Sequence, residues 1–253
     1  MLPFSKYHSS GNDLILIEDF KKSFPSDDHS LIRRICHRKF GIGSDGLVLL
    51  QINGKEFAMR FFNPDGAEAT ACGNALLCLG YFIRSLGHYH SSYEIETVSG
   101  KRMIRFDENK VIASLGIPKR LYWDLVVEEQ RCFVVDTGVP HAIVLGSPSD
   151  FQESSRKIRY HPQFAPGGVN VNWVESAQDK VVKIRTYERG VEGETLACGT
   201  GAAAAAVVMA QLHGWQGKLE MVFGSGEKID VYLSSAVEIA GEPKFVFKGL
   251  YSL

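Results

Sequence analysis

EATACGNALLC (residues 68–78) and ETLACGTGAAA (residues 194–204) open in the same way. Each starts on Glu, reaches Ala-Cys-Gly three residues later, and runs on into an apolar stretch with helical character. Cys72 and Cys198 are 126 residues apart in a chain of 253, so each half holds one copy. The likeness spreads outward. Upstream, MRFFNPDG (59–66) resembles IRTYERG (184–190) at an offset of 125. Downstream, YEIETVSGKRMIRF (93–106) resembles KLEMVFGSGEKIDVYL (218–233), with Ser99-Gly100 and Ser225-Gly226 at an offset of 126. The change of offset places one extra residue in the second copy between Tyr187 and Cys198, in RGVEGET. Self-similarity in a fixed order predicts two like domains made by duplication.

Short apolar or alternating runs predict strands in both halves: LILIED, LVLLQI, FAMRFF, YEIETV and VIASLGI, then CFVVDTG, HAIVLG, VNVNWVE, VVKIRTY, LEMVF and IDVYL. Helices are expected over 29–40, over 73–87 ending at Gly87, and over 201–214 ending at Gly214. The last two are apolar nearly all round, which predicts central helices wrapped by their own strands. The expected fold is α/β (α+β): a duplicated pair of domains, each of strands around a buried helix, with the active site in the cleft between them. The boundary is expected near 115–124.

Charge is balanced, 28 basic against 29 acidic residues, and no dense Lys/Arg run exists. Neither a nucleic-acid nor a membrane partner is expected. No apolar run reaches about 18 residues, and the start, MLPFSKYHSSGND, lacks a secretory pattern. The five cysteines, Cys36, Cys72, Cys78, Cys132 and Cys198, are odd in number and not in CxxC pairs. That fits a reducing, cytoplasmic setting better than a disulfide scaffold. No metal-ligand spacing occurs, so no metal is expected.

A cysteine at a helix N-terminus sits in a positive partial field that favours its thiolate. The same helix end offers unpaired backbone N–H groups to a carboxylate. Two such ends predict inversion at an amino-acid Cα. One cysteine removes the proton, the other returns one to the opposite face, and the N–H groups stabilise the enolate-like charge. Cys36, Cys78 and Cys132 lack this context and are assigned to packing.

FSKYHSSGND, FFNPDGAEATACGNALLC, VPHAIVL, GGVNVNWV and YERGVEGETLACGTGAA together resemble the diaminopimelate epimerase family over nearly the whole chain. The resemblance implies domains at 1–117 plus a final strand at 241–253 crossing back, and at 118–240. It implies a homodimer, a small amino-acid substrate, and neither pyridoxal phosphate nor any other cofactor. It makes Cys72 and Cys198 the catalytic bases. Gly73, Asn74, Gly199 and Thr200 become the helix-end groups for the reacting carboxylate. Asn12, Asn63 and Asn170 become substrate-binding amides, and Glu188-Arg189 the pair whose arginine clamps a distal carboxylate. His141 is placed near the site.

This chain departs from the family pattern in several places. Gly46 in GSDG stands where a substrate-contacting Gln is expected, and Val139 in GVPH where an Asn is expected. CGNALLC carries Ala75 and Leu77 in place of Gly and Arg, and ERGVEGET carries the extra residue. Fewer polar groups around the substrate predict relaxed specificity that includes glutamate, against the alternative that neighbouring residues replace the lost contacts and specificity is normal. The alternatives are a proline-racemase-like or phenazine-pathway-like isomerase, a thiol redox protein using the two cysteines, and a non-catalytic amino-acid-binding protein.

Overall fold

The computed structural model describes residues 1–70 and 72–252. The chain divides into one unit of 1–113 with 241–253 and a second of 114–240.

The first unit contains β1 (Leu2–Ser9), β2 (Asn12–Glu18), α1 (His29–Cys36), β3 (Gly46–Asn53), β4 (Glu56–Phe62), β5 (Glu68–Ala69), α2 (Gly73–Ser85), β6 (Ser92–Thr97), β7 (Gly100–Asp107) and most of β8 (Lys110–Gly116). The second contains β9 (Lys119–Val127), β10 (Gln130–Asp136), β11 (Pro140–Leu145), α3 (Phe151–Arg159), β12 (Asn170–Gln178), β13 (Val181–Glu188), β14 (Gly193–Thr195), α4 (Gly199–His213), β15 (Gly217–Phe223), β16 (Lys228–Leu233) and most of β17 (Val237–Gly241). The final strand, β18 (Lys244–Tyr251), belongs to the first unit.

Strand pairing repeats step for step. In the first unit β18, β1, β2, β3, β4, β6, β7 and β8 are successive neighbours. In the second the same series is β9, β10, β11, β12, β13, β15, β16 and β17. Both series read antiparallel, antiparallel, parallel, antiparallel, parallel, antiparallel, antiparallel. Parallel neighbours need a crossover, and helices supply it at matched places. α1 and α3 join the first parallel pair of each unit, and α2 and α4 join the second. The edge strand beside β1 comes from the far end of the chain, whereas its counterpart β9 directly precedes β10.

Burial explains which runs become which elements. Leu14–Ile17 of β2 and Gly46–Leu50 of β3 are apolar without alternation and buried on both faces, as parallel interior strands must be. β6 alternates exposed and buried residues and so covers the core with one face. Ala202–Ala206 of α4 are all fully buried, and their small side chains let surrounding strands approach the helix closely. α2 is likewise buried from Gly73 to Gly80.

Helix limits differ from those expected. α1 stops at Cys36 rather than residue 40, because His37 turns extended and its Nδ1 accepts the N–H groups of Lys39 and Phe40, both at 3.1 Å. α2 ends at Ser85. α4 starts two residues earlier than expected and ends on left-handed Gly214 (φ 68°). α3 was not among the expected helices. Its signal is Asp150 three residues before Glu153, a capping pattern, and Asp150 Oδ1 accepts the Glu153 N–H at 3.0 Å. No described helix is long and apolar enough to cross a membrane.

Candidate functional site

Each unit presents a cysteine as the N-cap of its central helix. Cys72 caps α2 with an extended backbone (φ −150°, ψ 109°), and Cys198 caps α4 in nearly the same conformation (φ −131°, ψ 105°). Cys72 Sγ accepts the Ala75 N–H at 3.4 Å. Cys198 Sγ lies 3.5 Å from Thr200 Oγ1. Both sulfurs therefore stand in the positive field of a helix N-terminus. Gly73, Asn74, Gly199 and Thr200 follow them in the buried first turns. Cys36, Cys78 and Cys132 are buried, and loss of solvation raises the pKa of each thiol, as inert packing residues require.

The Glu that opens both sequence copies has a physical task. Arg60 on β4 grips Glu68 through two parallel hydrogen bonds of 2.8 and 2.9 Å. Arg185 on β13 grips Glu194 in the same way at 2.7 and 2.6 Å. Each fork ties the short strand leading to a cysteine onto its hairpin partner. The register also locates the extra residue. Phe62 pairs with Glu68, whereas Tyr187 pairs with Glu194, so the second connection is one residue longer.

That longer loop carries Glu188 and Arg189 and is anchored from beneath. Glu192 Oε1 accepts from Arg159 Nε and Nη2 at 3.3 and 3.1 Å and from the Gly190 N–H at 3.0 Å. Arg159 and Arg189 both donate to the Gly167 carbonyl. Asn170, expected to bind substrate, is engaged within the unit. Its Oδ1 accepts the Arg189 backbone N–H at 2.8 Å, and its Nδ2 donates to the Pro140 carbonyl at 3.2 Å.

Behind Cys198 lies a buried polar chain. His141 Nε2 is 2.9 Å from Thr200 Oγ1, and its Nδ1 is 2.8 Å from Asn172 Oδ1. Asn172 Nδ2 donates to Thr186 Oγ1 at 2.6 Å. Burial, with a smaller contribution from the Arg189 charge, outweighs the Asn172 hydrogen bond and pushes the His141 pKa down to about 4. The ring is therefore neutral near pH 7. A β-carbon at Gly201 would lie 2.3 Å from Asn172 Nδ2, so the second Gly of GTG is what lets this amide sit against α4. Sequence reading missed Asn172, Thr186, Arg159 and Glu192. Only the repeated Asn in VNVNW hinted at the first.

In the first unit, Asn12 Nδ2 donates to Asp45 at 3.2 Å, while Asn12 Oδ1 and the buried Asn74 Oδ1 have no hydrogen-bond partner among the described residues. Two unmatched acceptors suit an ammonium group. Asn63 is half-buried in a turn closed by its own N–H to the Ala67 carbonyl at 2.9 Å. Asp13, beside Asn12, pairs with Lys6 at 2.6 Å and with Arg38 at 2.7 Å. Burial works to raise its pKa, but these hydrogen bonds hold it well below the usual carboxylate range. At Gly46 a β-carbon would lie 2.5 Å from the Phe61 ring and 2.9 Å from the Phe62 carbonyl, so a Gln there does not fit with Phe61 in place. Val139 is half-buried in the turn between β10 and β11. An open hollow of about 450 Å³ is lined by Lys6, His8, Asp13, Arg38 and Phe247, apart from Cys72. Among the described residues, no three His, Cys, Asp or Glu side chains are grouped to hold a metal ion.

Solved structures of other proteins share this fold. It is shared by a Bacillus anthracis phenazine biosynthesis protein of the PhzF family, with a TM-score of 0.77 and 15% identity over 100% of this chain and 99% of the other. It is also shared by a hydroxyproline epimerase from Agrobacterium vitis, with a TM-score of 0.72 and 16% identity over 98% and 90%. At sequence level the family profile of diaminopimelate epimerase matches residues 4–121 and 133–243. A diaminopimelate epimerase of Archaeoglobus fulgidus is 34% identical, covering 100% of this chain and 97% of the relative. One of Flavobacterium psychrophilum is 33% identical, covering 96% and 97%. The chain belongs to the diaminopimelate epimerase family. It is an isomerase, an epimerase with a small amino-acid substrate.

Proposed function

We propose that this epimerase interconverts LL- and meso-diaminopimelate, in lysine and peptidoglycan precursor synthesis, through Cys72 and Cys198 and without pyridoxal phosphate. The observation that carries the reading is the pair of cysteines in matched N-cap conformations, each behind a bidentate Arg–Glu fork.

In the proposed mechanism one sulfur enters as thiolate and takes the Cα proton. The C–H electron pair moves into the carboxylate as an enolate-like dianion. Backbone N–H groups at the starts of α2 and α4 stabilise that charge. The other sulfur enters as thiol and gives its proton to the opposite face of Cα. Configuration inverts, and the two sulfurs exchange protonation states. Asn12 and Asn63 are assigned to the polar groups of the substrate, Gly73, Asn74, Gly199 and Thr200 to its reacting carboxylate, and Arg189, beside Glu188, to its distal carboxylate. Asn12 Oδ1, which accepts no hydrogen bond among the described residues, supports the assignment of an ammonium partner there. Asn170 is assigned to substrate binding partly through Arg189, whose backbone it holds. Glycine at 46 and valine at 139 support relaxed specificity, with glutamate as the expected second substrate. The domain limits of 1–117 with 241–253 and 118–240, a homodimer and a cytoplasmic location complete the proposal.

The test is proton exchange in D2O. Reduced protein is incubated separately with LL-diaminopimelate, L-glutamate and L-proline, and NMR follows the Cα–H signal alongside chiral analysis. Cys72→Ala and Cys198→Ala are each expected to cut exchange at least about 10²-fold, the usual contribution of a positioned acid or base. Turnover of proline alone would move the assignment to the proline-racemase type. Unimpaired exchange in either variant would remove the two-cysteine mechanism. Absence of glutamate turnover would remove the relaxed specificity.

A further inference from the structure

We propose that Asn172 is a positioning residue that sets the proton on Cys198, acting through His141 and Thr200. The inference rests on the reading of Cys198 as an acid/base group.

The direction of the chain follows from what each atom can do. Asn172 Nδ2 donates to Thr186 Oγ1, so its Oδ1 is the atom facing His141 Nδ1. A carbonyl oxygen only accepts. His141 Nδ1 therefore carries the hydrogen, and in a neutral ring Nε2 is left as the acceptor. Its neighbour Thr200 must then donate its hydroxyl hydrogen to Nε2. With that hydrogen committed, Thr200 Oγ1 faces Cys198 Sγ with lone pairs alone. Toward this hydroxyl the sulfur is favoured as a thiol that donates rather than as a thiolate. The Thr137 hydroxyl holds the Thr200 carbonyl at 2.8 Å, fixing the turn that aims this side chain.

Among the described residues the first unit shows no matching His–Asn–Thr series. Asn74 follows Cys72 at the place where Thr200 follows Cys198, and Asp13 is the second residue of β2 where His141 is the second of β11. Cys72 Sγ instead accepts a backbone N–H, an arrangement that suits a thiolate. The duplicated cysteines thus face different groups, and the chain favours the proton on Cys198.

Replacing Asn172 by Asp should reverse the chain. A carboxylate against Nδ1–H favours a charged ring. The Cys198 proton then passes to Thr200 as the Thr200 proton passes to Nε2, leaving thiolate and imidazolium. The ionisable groups bearing on this balance are His141, Cys198, the new Asp and Arg189, whose charge opposes protonation of the ring.

The experiment measures iodoacetamide alkylation of Cys198 against pH in the full-length protein, resolved by peptide mass spectrometry. In Asn172→Asp the apparent pKa of Cys198 is expected to fall by a unit or more, giving about tenfold faster labelling below the wild-type pKa. Cys72 labelling should not change, and Cys132, buried in the same unit, should stay unlabelled. In a Thr200→Val background, Asn172→Asp should no longer shift the Cys198 profile relative to Thr200→Val alone. A Cys198 profile unmoved in Asn172→Asp overturns the proposal. So does faster labelling of Cys72 and Cys132 together with Cys198, which marks general loosening. The wild-type protein gives a second measurement that needs no variant. Nitrogen-15 NMR should find His141 neutral with hydrogen on Nδ1, and hydrogen on Nε2 overturns the direction of the chain. None of these readouts depends on turnover, so failure of the epimerase reading and failure of this inference are distinguishable.

Discussion

His141 is fully buried and neutral, and charging it opposes the fold. Its pKa falls from an ordinary 6.5 to about 4 in the folded chain. Between those values the unfolded chain binds a proton that the folded chain does not, so stability decreases as pH drops through that window. Above pH 6.5 both states are neutral and the effect vanishes. Wild type should lose about 3 kcal/mol between pH 6.5 and 4 by this route. His141→Gln should lack that loss while starting from a lower stability at pH 7. Urea unfolding of both proteins across the range checks this, and parallel curves would remove His141 as the cause. Asp13 acts at lower pH, because its carboxyl is held below its usual range and its contribution disappears only on stronger acidification. At this scale Cys72 and Cys198 were legible from sequence, since a helix start of Ala-Cys-Gly declares its own electrostatics. Asn172 was not. A buried Asn reads as a polar strand residue until the atom it faces is known.

Among the elements, α4 depends most on side-chain size. Ala202–Ala206 have no exposed surface, and β10, β11, β12, β13, β15 and β16 all pack against this helix. Replacing Ala204 by Leu adds three carbons where no space exists, and should destabilise the protein by about 1–3 kcal/mol or more. Gln211→Leu, on the exposed side of the same helix, should stay within about 0.5 kcal/mol. Chemical denaturation of the two variants tests the contrast, and equal effects would mean that the strands do not close on α4 as described. Periodicity identified α2 and α4 as central helices because both are apolar all round. It overextended α1, where the His37 side chain intercepts the backbone donors that would continue the helix. It overlooked α3, whose buried Phe151, Ser155, Ile158 and Arg159 mix polar with apolar residues. The Arg60–Glu68 and Arg185–Glu194 forks were visible as letters in both sequence copies, but their pairing depends on strand register, which no local pattern carries.

For the whole molecule, β18 returns from the end of the chain to the first unit. It pairs with β1 from Leu2↔Tyr251 to His8↔Lys244 and sets Phe247 edge-on to Phe4 at 5.8 Å and Phe245 to Tyr7 at 5.4 Å. Deleting 244–253 would leave β1 with an open edge and uncover those rings. A lower melting temperature with visible aggregation is expected, since an unpaired strand edge is a template for association. Thermal unfolding followed by light scattering tests this, and an unchanged transition would show that β18 contributes little. The sequence by itself determined the duplication, the two central helices, the two capped cysteines and the position of the extra residue, because these are features of spacing and side-chain type along the chain. Only the tertiary structure decided the Arg–Glu forks, the Glu192–Arg159 anchor beneath Arg189, the ring of Phe61 over Gly46 and the polar chain behind Cys198. The forks depend on strand register, the others join residues from separate elements, and the direction of a hydrogen bond is set by the atoms that meet.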